Sequence, residues 1–366
     1  MNVDRRSLQY FDWVFFSIAL ILIVFAFVNL TSATNSGVEG GMSDVVRRQG
    51  IVVGFCSVVM AVILMIDYRH FERFALLLYA ASLLLLVATL VIAPEIRGAR
   101  AWLFEGRFQP SEFAKITMVL VMARHFHRNP PEASSGMRQL IGPILIAAPP
   151  VALIVAQKDM GVALLTLLVA MTFLPFVRIS GRAWAGIAAA AVGALTALWS
   201  YGLKGYQQQR ILDFLDPERD PLSSGYQAMQ SRIAIGAGGL FGQGWMEGTQ
   251  TQLRFLPTQH TDFIFSVLAE EWGFVGSILV LALFLAMLLW GLWIASSSKD
   301  GFGALLSVGL VGTLFWPAVI NIAMVLGLAP VIGVPLPLFS YGGSAMLSAF
   351  ISLALLLNIS MRRYLF

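Results

Sequence analysis

Four side chains that could do chemistry stand close together at the mouth of one long apolar run. The stretch from Pro257 to Glu271, PTQHTDFIFSVLAEE, carries His260, Asp262, Glu270 and Glu271. Acids at the edge of a membrane are costly, so they mark either work or a specific partner. Thr261 and Asp262 also have a plain reading as a helix cap worth about 1 kcal/mol. Glu270 and Glu271 are adjacent, about 100° apart on a helix, so at most one shares a face with Asp262. Hydrogen bonds to neighbouring helices explain that pair as well as chemistry does. A second constellation is RFQPSEFAKI, residues 107 to 116. Pro110 fits the first turn of a helix, Ser111 helps to cap it, and Glu112 and Lys115, three apart, share a face. The pair is either a structural ion pair or a cation placed for a phosphate and held by its own carboxylate. A third, QKDMG at 157 to 161, is a tight turn in which Asp159 is by default an N-cap.

The elements that must position these residues are membrane helices. Of the 366 residues, 58% are hydrophobic and only 12% charged, which excludes an ordinary soluble domain. Windows of about 20 apolar residues place spans near 12–31, 51–67, 74–93, 111–126, 139–156, 161–178, 183–200, 262–294, 303–327 and 343–361. The expected fold is therefore all-α and polytopic, with about ten transmembrane helices and both termini on one side. The fourth span reads weakest, because Glu112 and Lys115 interrupt its start and Arg124 ends it. With the termini inside, twelve basic residues fall in inner segments and six in short outer loops, as the positive-inside rule asks; the long outer segment adds five more. Arg5 and Arg6 precede the first apolar run, yet that run is longer than a signal-peptide core and reads as a retained helix. Cys56 lies alone inside the second span, which excludes a disulfide and a cysteine-based metal site. A net charge of +4, scattered over loop ends, gives no basic stripe for nucleic acid.

The eighth span is too long. From Asp262 to Ala295 a continuous helix runs about 50 Å, against a hydrocarbon core of about 30 Å. Counting back from Ala295 puts Glu270 and Glu271 near headgroup level and Asp262 two turns further into the aqueous side. Before this span lies one long extramembrane loop, 201–261, carrying YQQQR, DPERDP and the glycine run GAGGLFGQGWMEG. The glycines lack the Gly-Lys-Ser/Thr ending of a phosphate loop, so they read as flexible turns packed against the membrane surface. Residues 327 to 344, with three prolines and four glycines, read as a re-entrant segment or a folded loop buried in protein. Trp102 reads as an interfacial anchor.

RFQPSE, then GYQAMQSRIAIGAGGLFGQGW, GTQTQLRFLP.QHTDFIFSVLAEEWG and GVPLPLFSYGGSA, in that order over nearly the whole chain, closely resemble the SEDS family of shape, elongation, division and sporulation proteins. GTQTQLRFLP resembles its elongation branch rather than its division branch. Two departures stand out: Thr258 where the family commonly has Glu, and Lys158 where Pro is frequent.

The resemblance implies one membrane domain over 1–366 in the bacterial inner membrane, with its site facing outside. It implies a glycosyltransferase that polymerises lipid II into glycan strands for cell elongation and rod shape. The partners implied are a class B penicillin-binding protein that crosslinks the strands, the undecaprenyl-pyrophosphate-linked glycan itself and other elongation-complex membrane proteins. Asp262 matches the family's catalytic aspartate. An α-linked donor and a β-linked product require inversion by direct displacement, with one general base and cations at the departing pyrophosphate. Lys115 and Arg210 are the candidate pyrophosphate contacts, Glu112 orients Lys115, Arg48 is a weaker candidate, and Asp159 and His260 are further substrate contacts. A divalent cation, Mg or Mn, could share the task, although the sequence shows no dedicated metal cage. Two other classes fit the pattern less well: a lipid II flippase with a polar groove, and a non-catalytic scaffold, which would tolerate loss of Asp262.

Overall fold

In hydrocarbon every backbone N–H and C=O must be satisfied within its own segment, so apolar runs of membrane length become helices. The computed structural model describes residues 9–34, 44–96, 98–104, 106–130, 137–177, 224–256 and 258–363, with scattered positions between 184 and 212. In chain order the helices are α1 (Trp13–Thr34), α2 (Asp44–Met65), α3 (Tyr68–Ile92), α4 (Pro110–Arg128), α5 (Ile141–Ala156), α6 (Met160–Met171), α7 (Ser224–Ala237), α8 (Thr249–Gln252), α9 (Ile264–Ser296), α10 (Gly301–Val325) and α11 (Gly343–Arg362). Among the described residues there is no strand, only two isolated bridges, Ile96 with Ala99 and Leu103 with Phe108.

Six of these helices, α1, α2, α3, α9, α10 and α11, are long and apolar enough to cross a membrane; α5 and α6 are shorter apolar helices. Most boundaries fall within a few residues of the sequence expectation. Helix α2 starts earlier, at Asp44, because two charged turns precede its apolar part and Asp44 pairs with Arg47 at 3.0 Å. Half of the expected seventh span, 183–200, lies outside the described residues.

The helix that read weakest is the centre of the bundle. Thirteen residues of α4 are buried, including Glu112 and Lys115, and α3, α5, α6, α10 and α11 pack around it. Its charges are kept from lipid by protein on every side, which is where membrane proteins keep them. Helix α11 is the other interior helix, packed on α2 and α10. At the end away from the site, Asn358 donates to Ile63 O and Ile66 O, both at 2.6 Å, and staples the α2–α3 turn to α11.

Helix α9 is not continuous, which corrects the single 50 Å rod. It breaks at Gly273, whose φ of +66° and ψ of −160° belong to glycine alone. The stretch after the break, Phe274 to Ser296, is about 34 Å long, close to the hydrocarbon thickness of about 30 Å. A break severs the bonds from residues 274 and 275 back to 270 and 271. The glycine run supplies both halves of each lost pair: Gln243 and Gly244 donate to Glu270 O and Glu271 O at 3.0 and 3.1 Å, while Phe274 and Val275 donate to Gly239 O and Leu240 O at 2.9 and 3.1 Å. Backbone must touch backbone for this. A Cβ on Gly273 would stand 2.3 Å from Gly242 N, and one on Gly238 would stand 2.0 Å from Ala269 O. The glycines thus form a fitted clasp on α9 rather than flexible turns.

Candidate functional site

Residues 258–263 form a tight turn ahead of α9. Thr258 takes φ +54°, rare for a β-branched residue, and its carbonyl accepts the N–H groups of Thr261 and Asp262 at 3.0 and 3.2 Å. Helix α9 begins at Ile264 with Phe263 at the N-cap, so Asp262 stands one residue before the capping position. Three successive carbonyls of the turn are pinned from outside it. Tyr341 N–H donates to His260 O at 3.0 Å, Ser340 Oγ to Thr261 O at 2.6 Å, and Asn321 Nδ2 to Asp262 O at 2.8 Å. The His260 ring, half-buried, meets Tyr341 edge to face at 5.7 Å.

Asp262 is half-buried and its carboxylate lies over Gly333: a Cβ there would be 3.5 Å from Oδ2. The residues that follow, Val334, Pro335 and Pro337, wall a narrow cavity of about 20 Å³. Glu112 and Lys115 line the same cavity, with Lys115 Nζ donating to Glu112 Oε1 at 2.7 Å. Their side chains are only 9% and 3% exposed. Such a pair persists because removing one partner strands a buried charge, at a cost of about 3–5 kcal/mol. It satisfies the ion-pair reading, and it also sets a fixed ammonium in poorly hydrated surroundings where a phosphate would feel it strongly.

The other motifs meet at the same end of the bundle. Gln109 N–H donates to Ser344 Oγ at 2.8 Å, and Gln109 Nε2 donates to Asp159 Oδ2 at 2.8 Å. Asp159 caps α6 by accepting from Val162 N–H at 3.2 Å, as its position suggested. Burial pushes the Asp159 carboxyl above its ordinary value, and the bonds from Val162 and Gln109 oppose that rise. Gly161 comes so close to the 326–342 segment that a Cβ would stand 3.0 Å from Ile332 O. Lys158 takes φ +66°, which a proline ring cannot adopt, so the departure from the family residue comes with a turn a proline could not make.

Several expectations fall elsewhere. Ser111 does not cap α4: Gln109 holds the N-cap position without a side-chain bond, and Ser111 Oγ is buried with no partner among the described residues. Arg48 has an exposed side chain, although its neighbour Gln49 is buried and accepts from Gly342 N–H at 3.4 Å. Arg210 lies outside the described residues. Glu270 holds the glycine clasp instead of the Asp262 turn, accepting from Gln250 N–H at 2.7 Å, Thr251 N–H at 3.1 Å and Thr251 Oγ1 at 2.7 Å. Glu271 accepts from Ser32 Oγ, tying the clasp to α1. Asn321 and Ser340 were not singled out by the sequence reading. A lone amide within an apolar span was the available signal for Asn321.

An all-helical bundle of apolar helices, with a clamped aspartate beside a buried ammonium–carboxylate cavity at one end, is the frame of an integral membrane protein. The chain belongs to the FtsW/RodA/SpoVE family of cell cycle proteins, whose pattern matches residues 11–365. It is 42% identical over 354 residues to the peptidoglycan glycosyltransferase MrdB of Escherichia coli (strain K12), covering 94% of this chain and 92% of that one. The peptidoglycan glycosyltransferase RodA of Treponema pallidum (strain Nichols) is 33% identical over 434 residues, covering 98% and 99%. Among solved structures, a chain from a peptidoglycan synthase complex that coordinates polymerization and crosslinking matches with a TM-score of 0.83 and 34% identity over 97% of this chain and 98% of that one. The rod shape determining protein RodA of Thermus thermophilus matches with a TM-score of 0.71, 30% identity and the same coverage.

Proposed function

We propose that this chain, a peptidoglycan glycosyltransferase of the rod-shape type, polymerises lipid II by inverting transfer with Asp262 as general base. The observation that carries the reading is the meeting of the pinned Asp262 turn, over Gly333, with the Val334–Pro337 wall of the Lys115–Glu112 cavity. The Asp262 carboxylate takes the proton of the acceptor sugar's 4-hydroxyl as its oxygen attacks the donor's anomeric carbon. The pyrophosphate then departs, and Lys115, held by Glu112, offsets its charge; Arg210, Arg48, Asp159 and His260 are the further substrate contacts. A divalent cation, Mg or Mn, assisting at the departing pyrophosphate would be held by one or two carboxylates and the substrate's own phosphates rather than by a protein cage.

The site faces the outside of the cytoplasmic membrane in this reading, with ten spans, both termini in the cytoplasm and residues 201–261 as a large outer loop of a single domain. A class B penicillin-binding protein is the crosslinking partner, supported by the similarity to a chain of a synthase complex. The test is glycan-strand formation from labelled lipid II by purified protein in detergent. Asp262→Asn is expected to lose at least about 10²-fold in rate while folding and partner binding are kept. Turnover near wild type in that variant would leave Asp262 a structural residue and move the base to Glu112.

A further inference from the structure

We propose that Asn321 is a positioning residue: its side-chain amide locks the Asp262 turn to the wall of the Lys115–Glu112 cavity and so sets the distance between base and cation. The proposal rests on the role of Asp262 given above. Asn321 is fully buried in α10. Its Nδ2 donates twice, to Asp262 O at 2.8 Å and to Val334 O at 2.6 Å, and so joins two segments far apart in sequence. Four residues earlier on the same helix face, Pro317 lines the cavity, and Thr313 lines it one turn further on. One face of α10 therefore carries both the cavity wall and the amide that holds the aspartate to it.

The residue type follows from the geometry. A carboxylate has no hydrogen to give, a hydroxyl has one, and only a primary amide offers two from a single nitrogen at this reach. Asn321 Oδ1 is buried without a partner among the described residues. An acceptor left so is costly, and no hydrogen bond of Oδ1 accounts for the amide here, whereas the two donated bonds do. The bonds go to backbone carbonyls, so Asn321 acts through the position of Asp262 and touches none of the reacting atoms.

The experiment uses the full-length protein in detergent, with rates expressed per folded molecule counted from monodisperse elution. Asn321→Ala is expected to lower kcat about 10- to 100-fold with KM for lipid II within about twofold, the pattern of a misplaced catalytic group. Hydrogen exchange is expected to speed up at the amides of residues 261–263 while α10 stays protected. An unchanged kcat per folded molecule overturns the proposal, whatever the exchange shows, and so does a loss confined to KM. If Asn321→Ala yields no folded protein, Ser340→Ala, which frees the Thr261 carbonyl and the Leu336 N–H but keeps both Asn321 bonds, must show the same faster exchange with a smaller kcat loss; full kcat there overturns the proposal. Failure of the base assignment is read separately, from Asp262→Asn. Unaltered exchange of the turn in Asn321→Ala sinks the positioning role even where Asp262 proves essential.

Discussion

Lys115 and Glu112 are held 2.7 Å apart inside the bundle, so neither can be tested alone without disturbing the other. Lys115→Met leaves a buried carboxylate and is expected to cost about 3–5 kcal/mol of stability. The double variant Glu112→Gln with Lys115→Met removes both charges, and its thermal midpoint in detergent should recover most of that loss. Activity should not recover with it, because the cation is gone. A double variant that melts and polymerises lipid II like wild type would end the phosphate assignment. Much at this scale was legible: the spacing of Glu112 and Lys115, the capping place of Asp159 and the position of Asp262 at the polar start of a long apolar run are local properties. Asn321 and Ser340 act across the fold, on carbonyls that sequence does not bring near them. Ser111 misled because a small polar residue next to proline looks like a cap, whereas here the N-cap position falls on Gln109, before the proline.

Helix α9 shows what an apolar pattern can and cannot place. Its length and its end were readable, because hydrophobicity continues without interruption through residues 274–294. The break at Gly273 was not, since a glycine in an apolar helix is common and only the bonds from residues 239–244 reveal that the chain bends there. Gly273→Ala places a Cβ 2.3 Å from Gly242 N and 2.7 Å from Leu240 O, in a backbone conformation that alanine rarely adopts. The expected loss is about 2–5 kcal/mol, strain and overpacking together. The same substitution should lower polymerisation, because the residues ahead of the break, 264–272, carry the Asp262 turn at their start. A melting temperature and turnover equal to wild type would mean that the clasp is dispensable. An exposed apolar substitution nearby, Phe274→Ala, should by contrast leave the unfolding free energy within about 0.5 kcal/mol of wild type.

Seen whole, the bundle buries α4 and α11 and leaves the membrane-spanning part of α9 with one open stripe. Phe274, Val275, Ile278, Leu279, Leu285, Leu289, Leu292 and Trp293 are all exposed. At 100° per residue they fall within about 140° of one another, a continuous apolar face directly beyond the glycine clasp. The opposite side of the helix is spent on packing: Ser277, Val280, Phe284, Met287 and Gly291 are buried, and a Cβ on Gly291 would stand 2.6 Å from Val311 Cγ2. Small residues therefore serve contacts inside the chain, and the bulky stripe is left for lipid or for a second helix. On the proposed function, the single membrane helix of the penicillin-binding protein is expected to lie along this stripe. Replacing Leu285 by cysteine, in a Cys56→Ser background, is expected to give disulfide crosslinks to cysteines placed along the partner's helix. Cysteine in place of Leu77 on α3, exposed at 66% but on another helix, should give none. Equal crosslinking from both positions would reflect random collision in the membrane, and crosslinks from α1 or α2 alone would place the partner on a different surface.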